Sequence, residues 1–458
     1  MVLADLWRHV GGDEGALDQV SLTGADPVLP GRFKVATAAL ASIGAAGLAA
    51  AELWRLRTGR RQRVSVDARA AAAIYRGERY MRIDGVPPSE PWAKLSGYYR
   101  TGDHRFVQLH CNFPHHEAGV LRVLDCEGTR EAVTAAIAGW KAAELEDALA
   151  HADMCAGMLR APEEWRRHPH AAAVATLPLL EITRIGDAPP SPCGDGVRPL
   201  GGVRALDLTR VIAGPVGGRT LAEHGADVLL ITAEHLPSID VLVVDTGHGK
   251  RSARLDLRRA DEAERLRTLI RGADVFCQSY RPGTLGARGF APEDVAGLRP
   301  GIVYVTLSAF GHAGPWASRR GFDSIVQTVS GIAYEGGRAA GVEGPRPLPA
   351  QALDHSSGYL AAFGAMVALA RRARAGGSWL VRVSLAQTGR WIDGLGRIEG
   401  AEAPEQRLEE VDDLLIVSDT PFGRVRHVAP AARLSETPAR WARTTVPLGT
   451  DAPIWTDA

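Results

Sequence analysis

Between residues 203 and 311 the chain alternates two kinds of pattern, and this alternation limits its fold more than any other feature. The β-rich runs VRALDL (203–208), DVLLIT (227–232), DVFCQS (274–279) and IVYVTLSAFG (302–311) are separated by the helical stretches AGPVGGRTLAEHG, DEAERLRTLIRG and PEDVAGLRP. Strands joined by helices of this length form right-handed βαβ units and hence a parallel, doubly wound sheet. Such a sheet takes ligands at the carboxyl ends of its strands. The fold class expected is therefore α/β, a Rossmann-like parallel sheet in a large domain with a smaller α+β domain beside it.

The 458 residues exceed one compact domain. The Pro-rich stretch GDAPPSPCGDGVRP (186–199) sets a boundary near 195. Before it lie a helix at 36–56, the strand-like RVSVDA and the run GYYRTGDHRFVQLHC, which reads as a hairpin turning at Gly102-Asp103. Lys plus Arg and Asp plus Glu both number 53, so no overall field draws the chain to nucleic acid or to an anionic membrane. Five scattered cysteines, Cys111, Cys126, Cys155, Cys193 and Cys277, make neither a disulfide framework nor a metal site, and a cytoplasmic setting is expected. The N-terminus carries early acids and no apolar core of a signal peptide. The apolar stretch at 35–54 holds Glu52 and reads as a buried helix.

An internal repeat runs at an offset of 317 residues. GLAAAELWRLRTGRRQRVSV (47–66) lies over GAMVALARRARAGGSWLVRV (364–383), and in this register Thr37 takes the place of Asp354. Asp354 is the one charge near the start of a long apolar helical pattern, LPAQALDHSSGYLAAFGAMVALARR (348–372). A carboxylate in a first helical turn is stabilised by the macrodipole and by unpaired amides, which predicts an ionised side chain available for attack. As a plain N-cap it would have no chemistry.

Three further segments carry candidate binding groups. DLTRVIAGPVGGRTLAEHG (207–225) runs from a strand through a Gly-rich turn into a helix whose first amides can face a phosphate or an adenine. GHGKRSARLDL (247–257) sets Lys250 and Arg251 before a strand, where two cations can grip a phosphate. SYRPGTLGARGF (279–290) follows a strand with Tyr280 able to stack on a base and Arg281 to pair with a phosphate. Each also reads as an ordinary turn or solvated surface.

Taken in order, these segments, with GIVYVTLSAFGHAGPWASRRGFDSIVQTVSG (301–331), resemble the class III coenzyme A transferases, the CaiB/BaiF family. The resemblance implies a Rossmann-like domain that holds CoA and an acyl-CoA:carboxylate CoA-transferase with Asp354, in LDHSSG, as nucleophile. A mixed anhydride, a CoA thiolate and an aspartyl-CoA thioester follow, with oxyanions met by backbone amides near Gly358 or in the small domain. CoA-binding positions carried over are Val211, Ile212, Ala213, Gly214, Lys250, Arg251, Ser279, Tyr280, Arg281, Arg288 and Arg320. No metal and no cofactor beyond CoA itself is implied; acyl-CoA and a carboxylic acid are the expected partners, in a homodimer, with no nucleic acid or membrane.

The resemblance also divides the chain. Residues 1–70 are a degenerate copy of the catalytic helix and strand, 71–195 a small α+β domain, 196–410 the CoA-binding catalytic domain and 411–458 a C-terminal return segment. The order is permuted or partly duplicated. Departures are Leu353 where glycine is usual, Gly247-His248-Gly249 ahead of Lys250, and Ala287 with Arg288 displaced by one. Phe322 stands where the racemase branch has histidine, which disfavours a 2-methylacyl-CoA racemase or epimerase, with His355, adjacent to Asp354, as a candidate substitute. A non-catalytic CoA-binding subunit is the other reading. A nicotinamide oxidoreductase is weaker, since GxGxxG is absent.

Overall fold

The computed structural model describes residues 2–192, 196–400 and 402–456. The boundary near 195 and Cys193 lie outside the described residues. Six strands, β1 (Arg204–Leu208), β2 (Asp227–Thr232), β3 (Lys250–Arg254), β4 (Val275–Gln278), β5 (Val303–Ser308) and β6 (Ser378–Ser384), form one parallel sheet in the order β3-β2-β1-β4-β5-β6. A seventh strand, Leu180–Gly186, pairs antiparallel with β6 at the edge. The strand order reverses between β1 and β4, which opens a crevice at their carboxyl ends.

Side chains alternate across this sheet as strand geometry requires. Leu206, Phe276 and Tyr304 enter one core with the helix Ala260–Arg271, while Ala205, Val275 and Val303 enter the main core on the other face. Both faces are covered, so the strands read as near-continuous apolar runs.

The repeat is structural. The two long helices, Val35–Thr58 and Ala352–Ala375, each span 24 residues and stand 317 apart at both ends. Each runs back along a strand: a Cβ on Gly47 would lie 2.9 Å from Val64, and one on Gly364 would lie 2.6 Å from Val381, the same contact one repeat later. Both helices are buried nearly throughout and pack against each other, which is why Ala dominates them. The first is long and apolar enough to cross a membrane by length and composition, yet it lies inside the protein.

The first copy has its own three-stranded sheet, Val20–Thr23 parallel to Val64–Asp67, with Ala432–Leu434 antiparallel on the other side. The tail therefore returns to the N-terminal copy, and it also touches the large sheet, where Ser252 N donates to Asp451. The small unit is the hairpin Gly97–Arg100 and Phe106–Leu109, extended by Ala156–Met158, under three helices with a separate core. Leu180–Gly186, assigned from the sequence to this unit, belongs to the large sheet instead, because its apolar residues complete the open edge of β6.

Candidate active site

Asp354 lies in the first turn of the second long helix, 7% exposed, and lines a cavity of about 400 Å³. Its own amide donates to Asp323 Oδ2 at 2.9 Å, and Asp323 also accepts from the Leu353 amide and from Gln327 Nε2. The positive end of the helix is thus used by Asp323. The Asp354 carboxyl is pushed well above the usual range, by burial first and then by the facing Asp323, whose own value is pushed up to about 6 by burial. Two buried carboxyls cannot both ionise at little cost, and the one with donors keeps the charge. The expectation that the helix start stabilises an ionised Asp354 is therefore corrected: burial and the facing Asp323 both work against its charge.

Gly358, one turn on, lets the helix Ala213–Glu223 approach. A Cβ there would stand 2.4 Å from the Ala213 carbonyl oxygen and 2.7 Å from Val216. Its amide belongs to the helical ladder, so it is a packing position rather than an oxyanion donor. This close crossing brings Asp354 to the turn after β1. In that turn Val211 has φ +73°, a left-handed conformation that a β-branched residue adopts only under constraint. Asp207 accepts from the Thr209 amide at 3.0 Å and from its hydroxyl, which fixes the turn from below.

A second cavity of about 340 Å³ lies at the carboxyl ends of β1 and β4. Arg210 sits between Phe113 and Tyr280, 6.0 and 5.8 Å from their rings. Arg281 and Arg320 converge on Asp153 of the small unit at 2.6 and 2.8 Å. Val211 and Phe322 line this cavity and also that of Asp354, so the two adjoin across these residues. Phe322 stacks on His110 at 3.8 Å, and burial pushes that imidazole down to about 3, leaving it neutral.

The structure thus gathers Asp354, Val211, Ile212, Ser279, Tyr280, Arg281 and Arg320 around two adjoining cavities. Ala213 and Gly214 lie beneath it; a Cβ on Gly214 would strike Thr209 at 2.3 Å. Lys250 and Arg251 do not serve as expected. They begin strand β3, and Lys250 Nζ is buried between Asp207 Oδ2 and the Pro215 carbonyl, both at 2.8 Å. Arg251 pairs with Asp227 at 2.7 Å and with the Ile454 carbonyl. Their charges are already spent inside the fold. Arg288 is exposed and bonded to the Leu257 carbonyl, away from both cavities. His355 is buried against Tyr75 with ring centroids 5.0 Å apart and does not line the Asp354 cavity.

Sequence reasoning misses Asp323, Arg210 and Ser324. Ser324 lines the Asp354 cavity, and its buried hydroxyl has no hydrogen-bond partner. Nothing local marks these residues, because each gains its place from a helix or strand distant in the chain. Among the described residues no cluster of His, Cys, Asp or Glu is arranged to hold a metal ion.

The fold and site define an α/β protein in which an arginine-lined crevice at the strands' carboxyl ends adjoins a cavity lined by a buried carboxyl group. The chain belongs to CoA-transferase family III, whose model matches residues 14–181 and 200–395. It is 32% identical over 326 residues to an acetyl-coenzyme A transferase of Hypoxylon pulicicidum, covering 66% of this chain and 54% of that one. An acyl-CoA transferase of Gibberella moniliformis is 29% identical, covering 81% and 73%. A probable fatty acyl-CoA transferase of Mycobacterium tuberculosis is 31% identical, covering 42% and 52%. The chain thus spans about half the length of two of these relatives. Among solved structures, the Mycobacterium tuberculosis protein aligns with TM-score 0.40 and 29% identity over 44% of this chain and 59% of its own, and a CaiB/BaiF family protein from Brucella suis with 0.38 and 26% over 44% and 56%.

Proposed function

We propose that the protein is an acyl-CoA:carboxylate CoA-transferase with Asp354 as its nucleophile. The observation that supports this reading is the shared wall of Val211 and Phe322, across which an arginine-rich crevice adjoins the cavity holding Asp354. CoA would lie with its adenine near Tyr280 and Arg210 and its phosphates near Arg281 and Arg320, and the pantetheine arm would pass beside Val211 and Phe322 toward Asp354. The thioester carbon then meets Asp354.

In this reading Asp354 first loses its proton, and the carboxylate that results is more basic, hence more nucleophilic, than an ordinary aspartate. Attack breaks the C–S bond and gives a mixed anhydride and CoA thiolate. The thiolate returns to the aspartyl carbonyl, releasing the first acid and leaving aspartyl-CoA thioester. The acceptor carboxylate repeats the steps in reverse. The free Ser324 hydroxyl is suited to donate to a tetrahedral oxyanion. The chemistry calls for no metal, and the four described cysteines, all free thiols, suit a reducing cytoplasm.

The test is mass spectrometry of protein incubated with a panel of acyl-CoAs and hydroxylamine. A hydroxamate or CoA adduct on Asp354, absent from Asp354→Ala, is expected. CoA binding without any adduct would instead favour a binding subunit.

A further inference from the structure

The helix Ala142–His151 of the small unit ends in a turn at Asp153, whose φ is +60°. The amides of Asp153 and Met154 close that turn on the carbonyls of Ala150 and Leu149, at 3.0 and 2.8 Å. Glycine is the residue best suited to a left-handed position after a helix, and the negative end of the helix dipole disfavours an acid there. Asp153 is thus locally disfavoured on two counts. What it gains lies across the crevice.

Arg281 Nη1 and Nη2 donate to Asp153 Oδ1 and Oδ2 at 2.6 and 3.3 Å. Arg320 Nη2 donates to Oδ2 and its Nε to the Asp153 carbonyl oxygen, both at 2.8 Å. One aspartate therefore takes the forked donor edges of two guanidiniums that line the crevice at the carboxyl ends of β1 and β4. A phosphate binds arginine through those same edges, so Asp153 and a phosphate compete for one set of donors. The three side chains are 28–49% exposed, which leaves the pairs within reach of an entering ligand. Arg319 lines the same crevice but pairs with Asp147 at 2.9 Å, outside this competition.

Resting on the CoA-transferase reading above, we propose that Asp153 is a built-in stand-in for a phosphate group of CoA: without CoA it occupies Arg281 and Arg320, and a CoA phosphate takes both guanidiniums from it and releases the turn. The exchange replaces one anion by another, so neither arginine is left without a counter-charge. It also lowers the affinity for CoA, because the state that is ready to bind is only the fraction in which Asp153 has let go.

The experiment measures the Kd of CoA by calorimetry for the natural protein, Asp153→Asn, Asp153→Gly and Asp147→Asn. Glycine suits the left-handed turn, so one Asp153 variant keeps the local fold whatever the other does. Both Asp153 variants are expected to bind CoA roughly 3- to 10-fold more tightly, the worth of two partly solvated ion pairs. Asp147→Asn, which removes the same charge from the same edge of the small unit, should change the Kd by less than about 2-fold. In the natural protein, CoA should speed hydrogen exchange at the amides of Asp153 and Met154, where a ligand that merely tightened the fold would slow it. Unchanged or weaker binding by the Asp153 variants would mean that this carboxylate aligns the arginines instead of competing for them, and overturns the proposal. An equal gain in Asp147→Asn, or exchange at the turn that CoA leaves unchanged or slows, overturns it as well. Absence of CoA binding by the natural protein overturns the CoA-transferase reading beneath it.

Discussion

The two long helices are built alike, but their first turns read VATA and ALDH, and the change that matters most for charge sets Asp354 where the first copy has Thr37. In the first, Asp26 accepts from the amides of Ala36 and Thr37 at 3.2 and 2.8 Å and from the Thr37 hydroxyl at 2.8 Å. In the second, Asp323 caps the corresponding amides, and Asp354 stands where Thr37 stood. A hydroxyl donates to the cap and satisfies it; a carboxyl opposes it. The comparison teaches that the chain keeps a stable version and a costly version of one helix start. The costly version faces the cavity.

Breaking the second helix start should have the largest effect. Asp354→Asn is expected to lower acyl transfer by about 10³-fold or more, as loss of a nucleophile does, measured as CoA exchange. The same variant should melt higher at neutral pH. The folded state binds the Asp354 proton more tightly than the unfolded chain, which releases it in the ordinary aspartate range. Stability is therefore full below that range and is lost as pH rises through the higher folded value, and the variant escapes this loss. A Tm difference that does not grow with pH would count against the facing carboxyls.

The next effect is on pH dependence. Asp323→Asn removes the charge opposite Asp354, so the acid limb of kcat/KM should move to lower pH. An unmoved limb would mean that burial alone sets the Asp354 proton. Gly358→Ala must displace the Ala213 carbonyl, and is expected to cost about 1–3 kcal/mol in denaturant unfolding. The equivalent position of the first copy is Ala41, and Ala41→Gly should cost only about 1 kcal/mol, the helix-propensity difference.

The smallest effects belong to the first copy. Thr37→Asp sets a carboxyl against Asp26 and removes a hydrogen bond, with an expected loss of about 1–2 kcal/mol at neutral pH and less in acid. No hydroxamate should form at position 37. A new adduct there would show that the first copy lacks only its nucleophile. Asp26→Ala should cost about 1 kcal/mol, the worth of a cap, with CoA exchange retained.

Much of the fold was legible because it rests on local pattern. The strands β1, β2, β4 and β5 lie where apolar β-branched runs meet helical stretches, and the repeat offset of 317 relates both long helices, although the sequence pattern places the first at 36–56 and it spans Val35–Thr58. Asp354 was legible as a lone charge in an apolar helix, but its protonation was not, since Asp323 lies 31 residues earlier and arrives by packing. Lys250 and Arg251 illustrate the opposite error. Adjacent cations suggest a phosphate grip, yet Asp207 and Asp227 on neighbouring strands claim them, and strand register is settled by the sheet as a whole.

By itself the sequence determined the parallel α/β architecture, the doubled helix and strand, and the identity of the carboxyl group at the helix start. Periodicity and composition act over a few residues, so they can be read directly. Only the tertiary structure decided where the charges lie: Arg210, Arg281 and Arg320 around the crevice, the last two paired with Asp153, Arg79 in the inner cavity, and Lys250 withdrawn into the core. Coulomb and desolvation terms depend on distance and burial, and those are fixed by groups far apart in the chain.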